Sequence, residues 1–386
     1  MKNNIRIDTL SQVHVGSGVF LQEGNDFIVV QSSEGSDIYV IDTNKLGAII
    51  GTDRQLIDTW VATIERGEAA SFIKTRTAGH HPREFAKRKI TNFADFTNTQ
   101  GTLKECLHDG MGRPYIPGSS IKGAIRTAVM ATYAKRKGQN ELAKEMRLIF
   151  QEHDDRRKNR LLDIVEKGIL GSNPNIDLFR FIKVGDAFFD KNSEISVKQI
   201  NLNIRQSPKL IDRSKQQIVE AIGSDEKSSF SLKIDTFYYD IVRHANHRDM
   251  AGLPELPGEM SDYISLFELI NEHTKDLVEK EISFWNEDVD NHIGQDNYVA
   301  NLEDIMETIT SCRPNQCVLR LGQAIGWRFI TGAWTETLEE KIFYDQIVPL
   351  ARFRNEKYSD YVFPKSRRID DESYVFGFLK LTYNPN

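Results

Sequence analysis

Thirteen consecutive residues, Pro114 to Arg126, constrain this chain more than any other stretch; they read Pro-Tyr-Ile-Pro-Gly-Ser-Ser-Ile-Lys-Gly-Ala-Ile-Arg. Pro114, Pro117 and Gly118 impose a rigid turn, because proline fixes φ and glycine accepts conformations that other residues avoid. Ser119 or Ser120 can then accept a backbone N–H and cap a helix. Beyond them Ile121, Ala124, Ile125, Ala128 and Val129 recur at spacings of three and four, which predicts a helix with one buried face. Lys122 and Arg126 stand four apart and share another face. Gly123, between them, removes a side chain where something can approach the backbone. A helix start with free N–H groups, two hydroxyls and two cations suits an anion, phosphate above all. The same residues also suit an ordinary capped helix packed on a sheet. The stretch is not a P-loop, since Gly123 is followed by Ala124 and Ile125 rather than by Lys and Ser or Thr.

The chain has 386 residues, long for one core, so two domains are expected. Its hydrophobic content of 39% and charged content of 27% describe a soluble globular protein. A net charge of -6 argues against a generally basic nucleic-acid coat but leaves room for a local basic groove. Cys106, Cys312 and Cys317 are too few for a disulfide framework and point to a reducing compartment. Cys312 and Cys317 lack the second ligand pair that a structural zinc needs. No apolar run approaches a membrane span, and the N-terminus does not read as a signal peptide. A cytoplasmic location is expected.

Alternation predicts strands at Ile5–Leu10, Phe27–Val30 and Ile38–Ile41, and the first of these runs into a turn, His14-Val15-Gly16-Ser17-Gly18. In isolation His14 reads as a strand-end histidine satisfied by backbone. A helix is expected at about 52–65. Residues 74–89 then hold Lys74, Arg76, Arg83, Lys87, Arg88 and Lys89 against the single acid Glu84, with Phe72 and Phe85 interleaved. That composition fits an RNA backbone with stacking rings, or a solvated helix face. His80 and His81 are adjacent, so their side chains diverge, and no acidic ligand lies close in sequence.

The helix that starts after Pro117 should run to about Lys137, and Glu141–Lys167 should be helical, with a charged centre at Arg156–Arg160. Asp177–Phe189 reads as one strand, and its lone Asp186 as a structural carboxylate that caps a turn or holds Arg180. Residues 207–224 read as a polar insertion with Lys209, Arg213 and Lys215, set between alternating runs at 195–204 and 228–239. His244 and His247 are three apart without a third ligand. Helices are expected at about 261–285 and 298–310, with a loop at 287–290. An apolar strand from Cys317 enters a loop containing Gly322, Gly326, Trp327, Arg328 and Gly332. Pro364–Arg368 reads as a basic turn and Tyr374–Leu381 as a closing strand. The coarse order of elements is α+β with antiparallel sheets covered by helices.

Four of these places carry a resemblance. Pro117–Arg126 resembles the Pro-Gly-Ser-Ser-Ile-Lys-Gly-x-Ile/Leu-Arg signature of the RAMP superfamily, the repeat-associated RNA-binding proteins of CRISPR–Cas systems. Val13–Gly18 is similar to the N-terminal turn of its Csm-type group, which caps the crRNA in type III-A effector complexes. The strand through Arg180 and Asp186, and the glycine-bearing loop after Leu321, resemble two further family segments.

The resemblance implies two ferredoxin-like, RNA-recognition-motif-like RAMP domains with helical insertions, at residues 1–223 and 224–386. It implies a non-catalytic subunit that ends the backbone filament at the crRNA 3′ end and supports 3′-end maturation. No cofactor or metal is expected. The expected partners are crRNA, neighbouring backbone and small subunits, host nucleases, and target RNA nearby. The expected contacts are His14, Gly16, Ser17, Gly118, Ser119, Ser120, Lys122, Gly123, Arg126, Gly322, Gly326 and Trp327. The competing expectation is a metal-independent endoribonuclease that uses His14, His80 or His81 and would need a second acid–base group nearby.

Overall fold

A computed structural model describes residues 4–384 except 34, 52, 67–68, 97–100, 139, 143, 145, 147–150, 152–154, 204–210, 245–251, 288–294, 340–341, 350–362 and 365. In chain order come β1 (Ile5–Thr9), β2 (Gly16–Gln22), β3 (Phe27–Ser32) and β4 (Gly35–Ile41). Helices α1 (Thr43–Ile50), α2 (Arg54–Glu65) and α3 (Ala69–Arg76) lead to β5 (Ala86–Asn92), β6 (Thr102–Cys106) and β7 (Tyr115–Ile116). Next are α4 (Gly118–Lys137), α5 (Asp155–Leu170), β8 (Ile182–Val184), β9 (Ala187–Phe188), β10 (Glu194–Asn203) and β11 (Ile211–Ile222). The rest comprises β12 (Lys227–Phe230), β13 (Leu232–Ile234), α6 (Thr236–His244), α7 (Tyr263–Glu287), α8 (Gln295–Thr310), β14 (Gln316–Arg320), β15 (Ser366–Asp370) and β16 (Phe378–Tyr383).

The fold is mixed α+β with helical insertions. One sheet has the order β12-β1-β16-β14, all antiparallel, with Ile5 opposite both Phe230 and Tyr383. A larger sheet runs β2-β6-β11-β10-β5-β4-β3, with β15 also paired to β10. Both sheets therefore draw strands from either side of Gly223.

The main core explains why α4 forms where it does. Its Ile121, Ile125, Ala128, Val129 and Ala134 are buried against Ile5, Ile7, Phe181, Leu379 and Leu381. Each large aliphatic side chain so buried contributes roughly 1.5–3 kcal/mol. Lys135, Arg136 and Lys137 fill the last turn, where the helix dipole favours cations. Among the described residues no helix is long and apolar enough to cross a membrane.

Several expected elements differ. Residues 211–222, read as polar insertion, form β11, which β10 and β6 sandwich. Asp177–Phe189 is not one strand: the Asp177 carboxylate accepts the Phe179 N–H and starts a 3-10 turn at Leu178–Phe181 before β8 and β9. The run at 228–239 divides into β12, β13 and the start of α6, and the basic turn at 364–368 leads directly into β15. Gly16-Ser17-Gly18 opens β2, with a register shift against β6 between Gly16 and Phe20. His247 and Lys209 lie outside the described residues, as do Asp288–Asp290 and the side chains of Arg156–Arg160, Arg213 and Lys215.

Candidate nucleic-acid interface

Three stretches far apart in sequence meet beside the first turns of α4. They line an open groove of about 380 Å³. Val15 and Gly16 form one wall, and Ser120, Gly123, Ala124 and Thr127 form the helical side. Gly322, Gln323, Ile325, Phe329, Ile330 and Thr331 close the far side, with Arg320 and Leu321 beneath. The helical set is spaced 0, 3, 4 and 7, a single helix face. A Cβ on Gly123 would meet nothing within 4 Å, so the α4 backbone is open to a ligand there.

The loop after Leu321 is stitched to the His14 segment. The Gln323 N–H donates to the His14 carbonyl at 2.8 Å. Gly322 has φ +98°, and a Cβ there would stand 2.7 Å from the same carbonyl, so the close approach requires glycine. The Thr127 and Thr331 hydroxyls, 3.0 Å apart, join helix and loop. Arg320 is buried, donates to the Phe376 carbonyl, and lies about midway between the Phe329 and Phe378 rings. Burial lowers its pKa to about 10, which still leaves it cationic at neutral pH.

His14 is 1% exposed, and its Nδ1 lies 2.6 Å from the Glu220 carbonyl. Burial lowers its pKa, so the ring is neutral. The strand-end reading of His14 describes this geometry, and the ring has no access to a surface nucleotide. Its Nε2 would stand 2.9 Å from a Cβ on Gly16, which accounts for that glycine. Ser17 donates to Glu105 at 3.0 Å.

Neither serine side chain caps α4. The Gly118 N–H instead donates to the Asp186 carboxylate at 2.7 Å, and the Ser120 and Ile121 N–H groups reach the Pro117 carbonyl. Gly118 is buried, and a Cβ there would collide with the Val184 carbonyl, which accounts for the glycine. The turn-capping role expected of Asp186 is thus a helix cap, whereas Arg180 bonds the Tyr238 hydroxyl and the Asn175 carbonyl.

Ser119 is exposed at the helix start. Lys122 and Arg126 stand on a different face from the groove lining. Arg126 donates to both Asp177 oxygens, at 3.0 and 2.9 Å, and lies over Phe179. Lys122 is half-buried and has no ion-pair partner among the described residues. Burial lowers its pKa, with Asp177 opposing and Arg126 adding. Gly326 is exposed with φ +77° and starts the short turn Trp327–Phe329. Trp327 packs edge-on to Phe363 and lies outside the groove lining.

The basic run at 74–89 does not form a uniform cationic track. Phe85 is core, not a stacking ring. Lys89 pairs with Asp37, while buried Arg88 serves Glu105, Glu194 and Glu220. Contrary to the expectation that no acid lies close to the histidine pair, His80 bonds Glu84, four residues on, and His81 caps the turn at Pro82–Glu84. Among the described residues, His108, Glu194 and Glu220 bring ligand-type atoms within 4.8 Å of one another. Arg88 already occupies that cluster with its own charge, 2.5 Å from Glu220.

Thr127, Phe329 and Thr331 were not expected in the groove. Thr127 carried a signal, four residues after Gly123 on the same face; the other two are placed only by tertiary folding.

The RAMP superfamily model matches residues 6–322. The CRISPR system Cms protein Csm5 of Streptococcus thermophilus is 34% identical over 106 residues, 26% of this chain and 27% of that relative's length. A chain in the cryo-EM structure of a Csm–crRNA–target RNA ternary complex of a type III-A CRISPR–Cas system superposes with TM-score 0.70 at 19% identity, covering 98% of this chain and 100% of that one. The crystal structure of T. onnurineus Csm5 gives TM-score 0.62 at 18% identity, over 97% and 99%.

Proposed function

The chain belongs to the RAMP superfamily, and from that premise we propose that it is a non-catalytic crRNA-binding subunit of a type III-A Csm complex. It ends the backbone filament at the crRNA 3′ end and supports 3′-end maturation by admitting host nucleases. In this reading the chain comprises two RAMP-type domains meeting near Gly223, with β1 and β15 each joined to strands of the other half. Neighbouring backbone and small subunits flank it, and target RNA runs nearby. It works in the cytoplasm.

The observation that carries the proposal is the convergence of the Gly16, Ser120–Gly123 and Gly322 stretches on one open groove. Glycines and small hydroxyls let a sugar–phosphate chain lie close against the backbone and bond the hydroxyls, a mode that needs little base readout. Ser119, Ser120 and Gly123 contact the strand, with Gly16, Ser17 and Gly322 shaping its path. Lys122 and Arg126 supply charge from the adjoining face, Arg126 by exchanging Asp177 for phosphate. His14 and Gly118 act from beneath by holding the turn and the helix start. Gly326 and Trp327 set the outer part of the loop for RNA or the next subunit.

The test is binding of a labelled single-stranded RNA across a salt series. If about three to five phosphates are neutralised, log affinity falls with log salt at a slope of about -2 to -3.5. A flat response, or unchanged crRNA retention after Lys122→Glu with Arg126→Glu, overturns the reading.

A further inference from the structure

Beside the start of α4, a second surface has the chemistry of a base-stacking site. β7 and β9 form a two-stranded ribbon with Tyr115 directly opposite Phe188. Their rings stack at 5.4 Å with an interplanar angle of 28°. Arg113, two residues before Tyr115, places its guanidinium 4.8 Å from the Phe188 ring centre. The Arg113 side chain is not loose: Asp109 holds it through Nε and Nη2, both at 2.8 Å, and accepts the Met111 and Arg113 N–H groups as well. Phe188 alternates with buried Ala187 and Phe189, yet is itself 40% exposed. A cation, a phenyl ring and a phenol thus adjoin one another at the surface, with Phe188 the most exposed of the three, and they are oriented before any ligand arrives.

We infer that Phe188, with Tyr115 and Arg113, is a stacking platform for a nucleobase of single-stranded RNA, an inference that rests on the RNA-binding reading above. Aromatic faces flanked by arginine accept any base by stacking and cation–π attraction, without hydrogen-bond readout. Continuity with the groove supports an RNA occupant. Four residues of chain lie between Tyr115 and the groove-lining Ser120, so their Cα atoms are separated by at most about 18 Å.

The experiment uses the full chain and a fluorescein-labelled 12-nucleotide oligouridylate, with a second probe carrying 2-aminopurine. Phe188→Ala should weaken binding about 5- to 150-fold, the range for removing one base–aromatic stack, with its salt slope unchanged because no phosphate contact is lost. Phe188→Trp should bind at least as well as the parent, and 2-aminopurine should be quenched by the parent but not by Phe188→Ala. Phe188 is exposed, so the variants should fold, and matched melting curves check this. Parental affinity in Phe188→Ala, or in Phe188→Leu, overturns the platform while leaving the groove reading intact. Absence of salt-dependent binding by the parent overturns both. Loss of a copurifying subunit with RNA affinity unchanged assigns the surface to a protein contact and overturns the platform alone.

Discussion

The N–H of Gly118 and the carboxylate of Asp186, 68 residues apart in sequence, are joined at 2.7 Å across the start of α4. The position where the helix dipole favours an anion therefore already holds one of the protein's own. Asp186→Ala should destabilise the fold by about 0.5–2 kcal/mol, the usual cost of a lost cap. Asp186→Asn, which keeps an acceptor, should lose less. Urea denaturation at constant slope measures both, and equal stability for Asp186→Ala would show that the cap is idle.

Gly123 separates RNA binding from folding. A Cβ there meets nothing, and replacing a helical glycine by glutamate should stabilise α4 by roughly 0.5 kcal/mol. The same change puts a negative charge into the groove. Gly123→Glu should melt at or above the parent temperature and yet bind single-stranded RNA at least about tenfold more weakly, or about 1.4 kcal/mol. Unchanged affinity would take the strand out of the groove.

These two sites show which parts of the molecule local pattern reveals. The helical period from Ile121 to Val129 and the alternation of Ile5–Thr9 are local, and both elements form as expected. β11 was hidden because Asp212–Gln217 is polar; its strand state comes from backbone bonding on both edges, which composition does not encode. Asp186 was legible as a structural carboxylate, but its partner was not, because 68 intervening residues must fold first. Phe85 among lysines and arginines resembles a stacking ring and is core, because it closes the turn at Pro82–Glu84 and packs with Ile41, Leu46, Ile50 and Ile73, contacts that only the tertiary fold supplies. The faces of α4 were separable in principle: 120, 123, 124 and 127 fall together, and 122 and 126 do not.

Two glycines in the loop after Leu321 should respond differently. Both have positive φ, so alanine is strained at either. At Gly326 the added carbon meets open space, and Gly326→Ala should cost roughly 1 kcal/mol. At Gly322 it would also press on the His14 carbonyl. Gly322→Ala should cost clearly more, roughly 2–3 kcal/mol, and weaken RNA binding by parting the loop from the His14 segment. Equal effects in denaturation curves would mean that the His14 contact is not decisive.

Glu194 and Glu220 form a buried pair that is expected to make stability depend on pH. Burial raises the Glu194 pKa to about 7 and, with Glu194 adding, that of Glu220 to about 8, despite Arg88. Unfolded, each titrates at about 4.3. Between these limits the folded state holds protons that the unfolded state releases, so the pair's contribution is greatest at low pH and is lost as pH rises through about 8. Glu220→Gln cannot titrate. Its stability relative to the parent should therefore rise between pH 6 and 8.5, by no more than about 1.4 kcal/mol per pH unit for each proton. A difference independent of pH, measured by urea denaturation at both values, would mean that Glu220 is ionised throughout.

Glu281 in α7 is a counter-ion for two arginines that reach it from different parts of the chain. Arg367 of β15 and Arg328 of the groove loop both bond its carboxylate, and the Trp285 Nε1–H and Tyr298 hydroxyl donate to Oε1 at 2.9 Å each. Burial opposes ionisation here, but Arg367 and then Arg328 outweigh it and hold the pKa at about 2. Relative to an unfolded value of about 4.3, this contribution is fully present above about pH 4.3 and is lost as pH falls through 2. Glu281→Ala leaves Arg367 buried without its counter-ion and should cost about 3–5 kcal/mol. Glu281→Gln keeps the shape and part of the hydrogen bonding, so it should fold at neutral pH with a smaller loss. Because Arg328 anchors the turn that carries Phe329 and Ile330 into the groove, Glu281→Gln should also bind RNA more weakly, with an unchanged salt slope, since no phosphate contact is removed. Full RNA affinity in a destabilised Glu281→Gln would show that the network holds the core without setting the groove wall.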